Sequence, residues 1–240
     1  MRVVQVQSET EQTMRLLLSV AEQLKMPLTS IARNTELAKL GVSDGVNASL
    51  IHTQATAALT LVESYLLGVE LLSSQQALEL EPVSVSSILT DTAHQLDRYA
   101  KEYGVEMEVS IAGRYEPVMA HQAGLKAALT SLGYALIEAR AASDEKGPKR
   151  IILAGHRNMH GIVTGMYGTN TIDGVAWRKA LKLYGNARQP LASLLGSSGA
   201  GVFVANALAQ AMESSLRAGR HGRQAGLAIT LPPSQQLQFV

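Results

Sequence analysis

The chain has 240 residues, enough for one large domain or two modest ones, and 46% are apolar, which excludes global disorder. With 21 basic and 20 acidic residues the net charge is +1, so there is no electrostatic case for a nucleic-acid partner or an anionic membrane surface. Cysteine is absent, which excludes disulfides, thiolate metal sites and thiol nucleophiles, and one Trp and two Phe make no stacking platform for bases. No apolar run approaches bilayer length, and the N-terminus lacks the apolar core of a signal peptide. A soluble, cytoplasmic protein is the expectation.

In chain order, residues from about 8 to 41 are predicted to form a long helix. Ser8 and Glu11 have capping-box spacing, and Met14, Leu17, Ala21, Leu24, Leu28, Ile31 and Ala38 recur at threes and fours, with a gap at Thr35. Pro27 interrupts the pattern and predicts a kink. Gly41 to Gly45 make a turn, and a second helix runs from about Asn47 to Ser73, apolar at Leu50, Ala57, Leu61, Tyr65, Val69 and Leu72. Two long helices on a short turn form an antiparallel hairpin. Two such hairpins bury their faces as a four-helix bundle, which predicts a homodimer.

Residues 73–82 read as a linker, dividing the chain into 1–76 and 77–240. A short strand from Val83 to Ser87 leads into a helix from Ile88 to Tyr103, stopped by Gly104. Val105 to Ile111 alternates as a half-buried strand, and Tyr115 to Met119 is an edge-like one. Leu125 to Ala141 is helical. Arg150 to Ala154 and Gly161 to Met166 are strands joined by a polar turn. A looser stretch holds a helix near Gly174 to Tyr184; Gly199 to Met212 is helical; Ser215 to Ala218 and Ala225 to Leu231 close as a hairpin around Gly219 to Arg223. The fold class is α+β: a helical hairpin followed by a two-layer α/β sandwich.

The stretch Glu22-Gln23-Leu24-Lys25-Met26-Pro27-Leu28-Thr29-Ser30-Ile31 resembles the box of the sensor histidine kinase family, roughly His-Glu-Leu-Arg-Thr-Pro-Leu-Thr-Ser-Ile. Leu80 to Leu89 resembles the family's lead-in to its ATPase domain. Val118 to Leu125 resembles the stretch before the first nucleotide-binding helix, Gly199-Ala-Gly201 the Gly-x-Gly turn, and Ala228 to Pro232 the last strand. The resemblance thus spans about residues 10 to 232, and it implies a dimerisation hairpin followed by an ATPase-type domain.

The chemical positions depart from the family. The phosphate-accepting histidine is Glu22, its acidic neighbour is Gln23, and the residue that positions water for dephosphorylation is Met26. The magnesium-holding asparagine aligns with Ala135, which cannot ligate a hard cation. Placing Gly168 on the family's Asp-x-Gly glycine puts Met166, a weak acceptor, where an aspartate would take the adenine amine. Only Gly168, Gly199 and Gly201 remain as nucleotide-site residues, with no catalytic residue and no metal ligand; ATP and magnesium are disfavoured as cofactors. The resemblance implies a catalytically degenerate binding module whose partner is a response-regulator receiver domain, docked on Leu17, Leu18, Glu22, Lys25 and Met26. The competing reading is an active phosphotransferase or ATPase with a divergent nucleotide site; a third is a structural dimer whose sheet domain binds another small ligand.

Other candidates have plainer readings. Glu22 is either a fixed charge mimicking phosphohistidine or an ordinary solvated glutamate. His52 is a surface or seam histidine rather than a relocated acceptor. His94 and His121 lack a metal-ligand partner, and His156 and His160 have zinc-like spacing only if helical, which a strand-to-strand turn is not. Arg217, Arg220 and Arg223 read as a solvated turn, with binding of an anion or an acidic partner as the alternative. Ser193, Ser197 and Ser198 carry no nucleophile motif.

Overall fold

The computed structural model describes residue 21 and residues 24–40, 46–73, 78–143, 147–169 and 199–234. Of the first helix it shows α1, residues 24–39, which continues through a buried Pro27. Helix α2 is Val46–Ser73. Buried Gln54, Ala57, Leu61, Ser64 and Gly68 alternate by three and four, with Thr53 buried beside them. This seam faces the rest of the chain: α2 packs on three later helices. The hairpin's second helix thus packs on the helical layer of the two-layer sandwich that follows it.

Strand β1 is Glu81–Val83, two residues earlier than expected. The cause is Ser84, which caps helix α3, Val85–Glu102, by accepting from the Ser87 amide, so the helix starts three residues sooner. Gly104, at φ 65°, turns the chain out of α3. Strand β2 is Glu106–Ile111. Strand β3, Val118–Ala120, leaves the main sheet to pair with β1. Helix α4, Gln122–Ala142, is capped by the His121 Nδ1 accepting from the Gly124 amide, which gives His121 a structural role. Strands β4, Arg150–Asn158, and β5, Gly161–Thr169, pair through residues expected to be turn; only Met159 and His160 lie between them. Helix α5 is Gly199–Ala211. Strands β6, Arg217–His221, and β7, Gln224–Leu231, form a hairpin with a two-residue turn, so Arg217 and Arg220 are strand residues. The expected helix near 174–184 and Ser193, Ser197 and Ser198 lie outside the described residues.

The main sheet has the order β2-β4-β5-β7-β6, with β2 parallel to β4 and the other pairs antiparallel. Its inner face, including Ile151, Leu153, Met166, Leu227 and Ile229, joins α3, α4 and α5 in one core. In α4 every residue from Ala128 to Arg140 is buried. A helix with no polar face belongs in the middle of a fold, and here the sheet, α3, α5 and α2 surround it.

The sheet is strongly curled. Ser110 on β2 and His221 on β6 sit on opposite edge strands, yet their side chains hydrogen-bond at 3.0 Å. In a flat sheet the two strands would lie about 19 Å apart. Glycines allow the curl: a Cβ on Gly226 would strike the Met166 carbonyl, and one on Gly165 the Leu227 carbonyl and Ala228. The outer face becomes a hollow, floored by Tyr167, Ala154 and Ala228 with Ile152 and Val163 beside them.

Candidate functional site

Three places carry the residues singled out by the sequence. The first is the start of α1. Lys25 and Met26 are both exposed, flanking buried Pro27. Leu28, expected in the helical seam, is 54% exposed. Leu17, Leu18 and Glu22 lie outside the described residues, as does the upper part of the expected helix.

The second is the expected nucleotide site. Ala135 and Met166 are both fully buried in the core, one on α4 and the other on the inner face of β5. Gly168 is buried near the end of β5, where a Cβ would press on the Arg150 carbonyl; that glycine is needed for the close approach of β4. Gly199 and Gly201 open α5, which packs on α4 and α2. The structure thus puts Gly168 on the sheet and the other two glycines on the helical layer. Above them, α2 is fastened down by polar contacts: the Gln54 Nε2 donates to Glu102 at 2.9 Å, and Tyr134 faces Thr60. Tyr99, Tyr103 and Tyr134 form a ring cluster at 4.7–4.8 Å between centroids, and the Tyr99 hydroxyl donates to Glu138 at 2.8 Å. Burial pushes the Tyr134 phenol up to about 12; burial, then the Glu138 charge, raises Tyr99 well beyond its ordinary range. These groups stay neutral and structural. An alanine and a thioether, both enclosed, do not fit the magnesium and adenine contacts that the resemblance would require.

The third place brings Arg217 and Arg220, read from the sequence as a solvated turn with an anion site among the alternatives, beside residues the sequence did not connect with them. The curl makes a hollow of about 660 Å³, lined by His156, Tyr167, Arg217, Arg220 and Glu213 among others. The His221 ring stands 5.5 Å from that of Tyr167 and 6.2 Å from that of His156. Burial, with the His221 charge second, lowers the His156 pKa and favours a neutral ring. Glu213 holds a left-handed backbone at φ 56° on the rim. Among the described residues no three His, Asp or Glu converge as metal ligands, and His160 is an exposed turn residue. His52 and His94 are exposed, and Arg223 lies in the β6–β7 turn. Tyr167, just past the end expected for β5 at Met166, is a strand residue that lines the hollow.

No family model matches the sequence, and no curated protein matches it. Solved structures do. The Acinetobacter baumannii histidine kinase AdeS aligns with 14% identity and a TM-score of 0.51, over 88% of this chain and 98% of that one. Full-length ShkA, solved in complex with AMPPNP, aligns with 15% identity and a TM-score of 0.55, over 94% of this chain and 46% of that one. The catalytic domain of the histidine kinase ThkA aligns with 10% identity and a TM-score of 0.50, over 65% of this chain and all of that one. The fold is that of histidine kinases, a helical pair followed by the ATPase-type sandwich. No described helix is long and apolar enough to cross a membrane.

Proposed function

We propose that the chain is a catalytically degenerate, histidine-kinase-like protein of two-component signalling, working as a dimeric binding module for a response-regulator receiver domain. The observation that carries this reading is the enclosure of α4. Ala135 and Met166 are fully buried, and an alanine and a thioether do not offer the chemistry at the two positions that would meet magnesium and adenine. Residues 1–76 serve as the dimerisation hairpin and 77–240 as the ATPase-like domain. Outward-facing Leu40, Leu59 and Leu66 on the hairpin, 74%, 65% and 59% exposed, favour pairing with a second copy. Exposed Lys25 and Met26 beside Pro27, completed by Leu17, Leu18 and Glu22, form the surface for the receiver domain.

Two measurements test the reading. A melt with ATP and magnesium, repeated with ADP, is expected to show no shift. A ligand at about 100 times its Kd would add about 2.7 kcal/mol, several degrees for a chain of this size. Titration against the receiver domains of the same genome is expected to find one that binds and is weakened at least ~10-fold by Lys25→Glu, a change worth about 1.4 kcal/mol. Binding by none of them removes the partner assignment. A nucleotide shift with transfer of label from ATP restores the enzyme reading.

A further inference from the structure

We infer that the hollow on the outer face of the curled sheet binds a small organic anion, a carboxylate or phosphate monoester on a compact, partly apolar body. The site is independent of the receiver-docking surface and lies on the opposite face of the sheet from α4.

Size comes first. A volume of about 660 Å³ falls inside the range of ordinary small-molecule sites. The floor is apolar and rigid, made by Val163 and Ala228 around the Tyr167 ring. Tyr167 is fully buried, yet its hydroxyl has no hydrogen-bond partner among the described residues, and it lines the hollow. A buried phenol without a partner is unfavourable, and an acceptor on a ligand would satisfy it. The Nδ1 of His156 is likewise unpartnered and stands on the same wall. Burial also holds the Tyr167 hydroxyl in its protonated, donating form, pushed up to about 12.

Charge decides the class of ligand. Arg217 and Arg220 line the rim, and among the described residues neither side chain forms an ion pair; the Arg217 Nε donates to the Ser215 Oγ at 3.2 Å. That leaves the terminal nitrogens of Arg217 directed to no carboxylate, a geometry suited to a planar, two-oxygen anion. Glu213 is the single acidic residue of the lining. The arrangement combines an apolar floor, one buried donor and a cationic rim. It would give a chain with this fold a direct small-molecule input.

The test uses the full chain and three probes at matched ionic strength: benzoate, phenyl phosphate and inorganic phosphate. Saturable binding is followed by amide shifts and melting temperature. One of the two organic anions is expected to bind at about 1 mM or tighter. Arg217→Gln, at an exposed position, is expected to weaken it at least ~10-fold, and Tyr167→Phe by a similar factor, while His94→Gln on α3 changes nothing. Preference for benzoate assigns a carboxylate, and preference for phenyl phosphate a phosphate ester. Binding by neither, equal binding of inorganic phosphate, or binding unchanged in Arg217→Gln overturns the inference.

Discussion

Glu138 is only 4% exposed on a helix buried all round, and Tyr99 donates to its carboxyl at 2.8 Å. Removing that donor takes a partner from a buried carboxyl without removing the carboxyl. Tyr99→Phe is therefore expected to destabilise the fold by about 1–3 kcal/mol, read as a lower urea midpoint with an unchanged slope. Tyr103→Phe, at a half-buried position of the same cluster, is expected to cost less. His156 supplies a second residue-scale prediction. Its folded pKa lies below the ordinary histidine value because burial, and then His221, disfavour the charged ring. The unfolded chain then binds more protons near the ordinary value of about 6.5, so stability from this group is present above that pH and is lost as pH falls through the folded pKa. Melts taken between pH 7.5 and pH 5 (about two and a half units) should fall less steeply for His156→Gln than for the wild type.

Among the elements, the β5–β7 pair controls the curl. Gly226 faces Tyr167 across the pair, and a methyl group there meets the Met166 carbonyl, which no rotamer change can move. Gly226→Ala is expected to cost about 3 kcal/mol, the upper part of the overpacking range, and to separate Ser110 from His221 by opening the sheet. The loss of their contact would be visible in the His221 ring signals. This curl also explains what was hidden in the sequence. Helices α2, α4 and α5 are legible in the sequence, and α3 starts sooner than expected because Ser84 caps it instead of continuing a strand. The packing of α2 on the helical layer was not legible: the buried seam of α2 includes Thr53, Gln54 and Ser64, polar residues that a search for apolar stripes discards. The hollow was not legible either. It depends on β6 approaching β2 through three intervening strands, a property of sheet coiling rather than of any local pattern.

For the whole molecule, α2 has to serve two sides at once. Ala57 and Leu61 face inward onto the helical layer, while Leu59, two residues from each, points away at about 200° around the helix. Leu66, seven residues on, shares the outward side. One side of the helix is fixed to its own domain, and Leu59 and Leu66 on the other are 65% and 59% exposed. A second copy presenting the same side is the symmetric solution. Leu59→Asp combined with Leu66→Asp removes four leucines from a paired assembly. Allowing for partial burial, that is about 4–6 kcal/mol, roughly three to four orders of magnitude in dimer affinity. Light scattering should then report a monomer where the wild type gives a dimer, with the α/β part still melting cooperatively, since neither leucine belongs to its core. A wild-type monomer, or a double variant that keeps dimer mass, would place pairing elsewhere. It would also remove the reason for those leucines to face water.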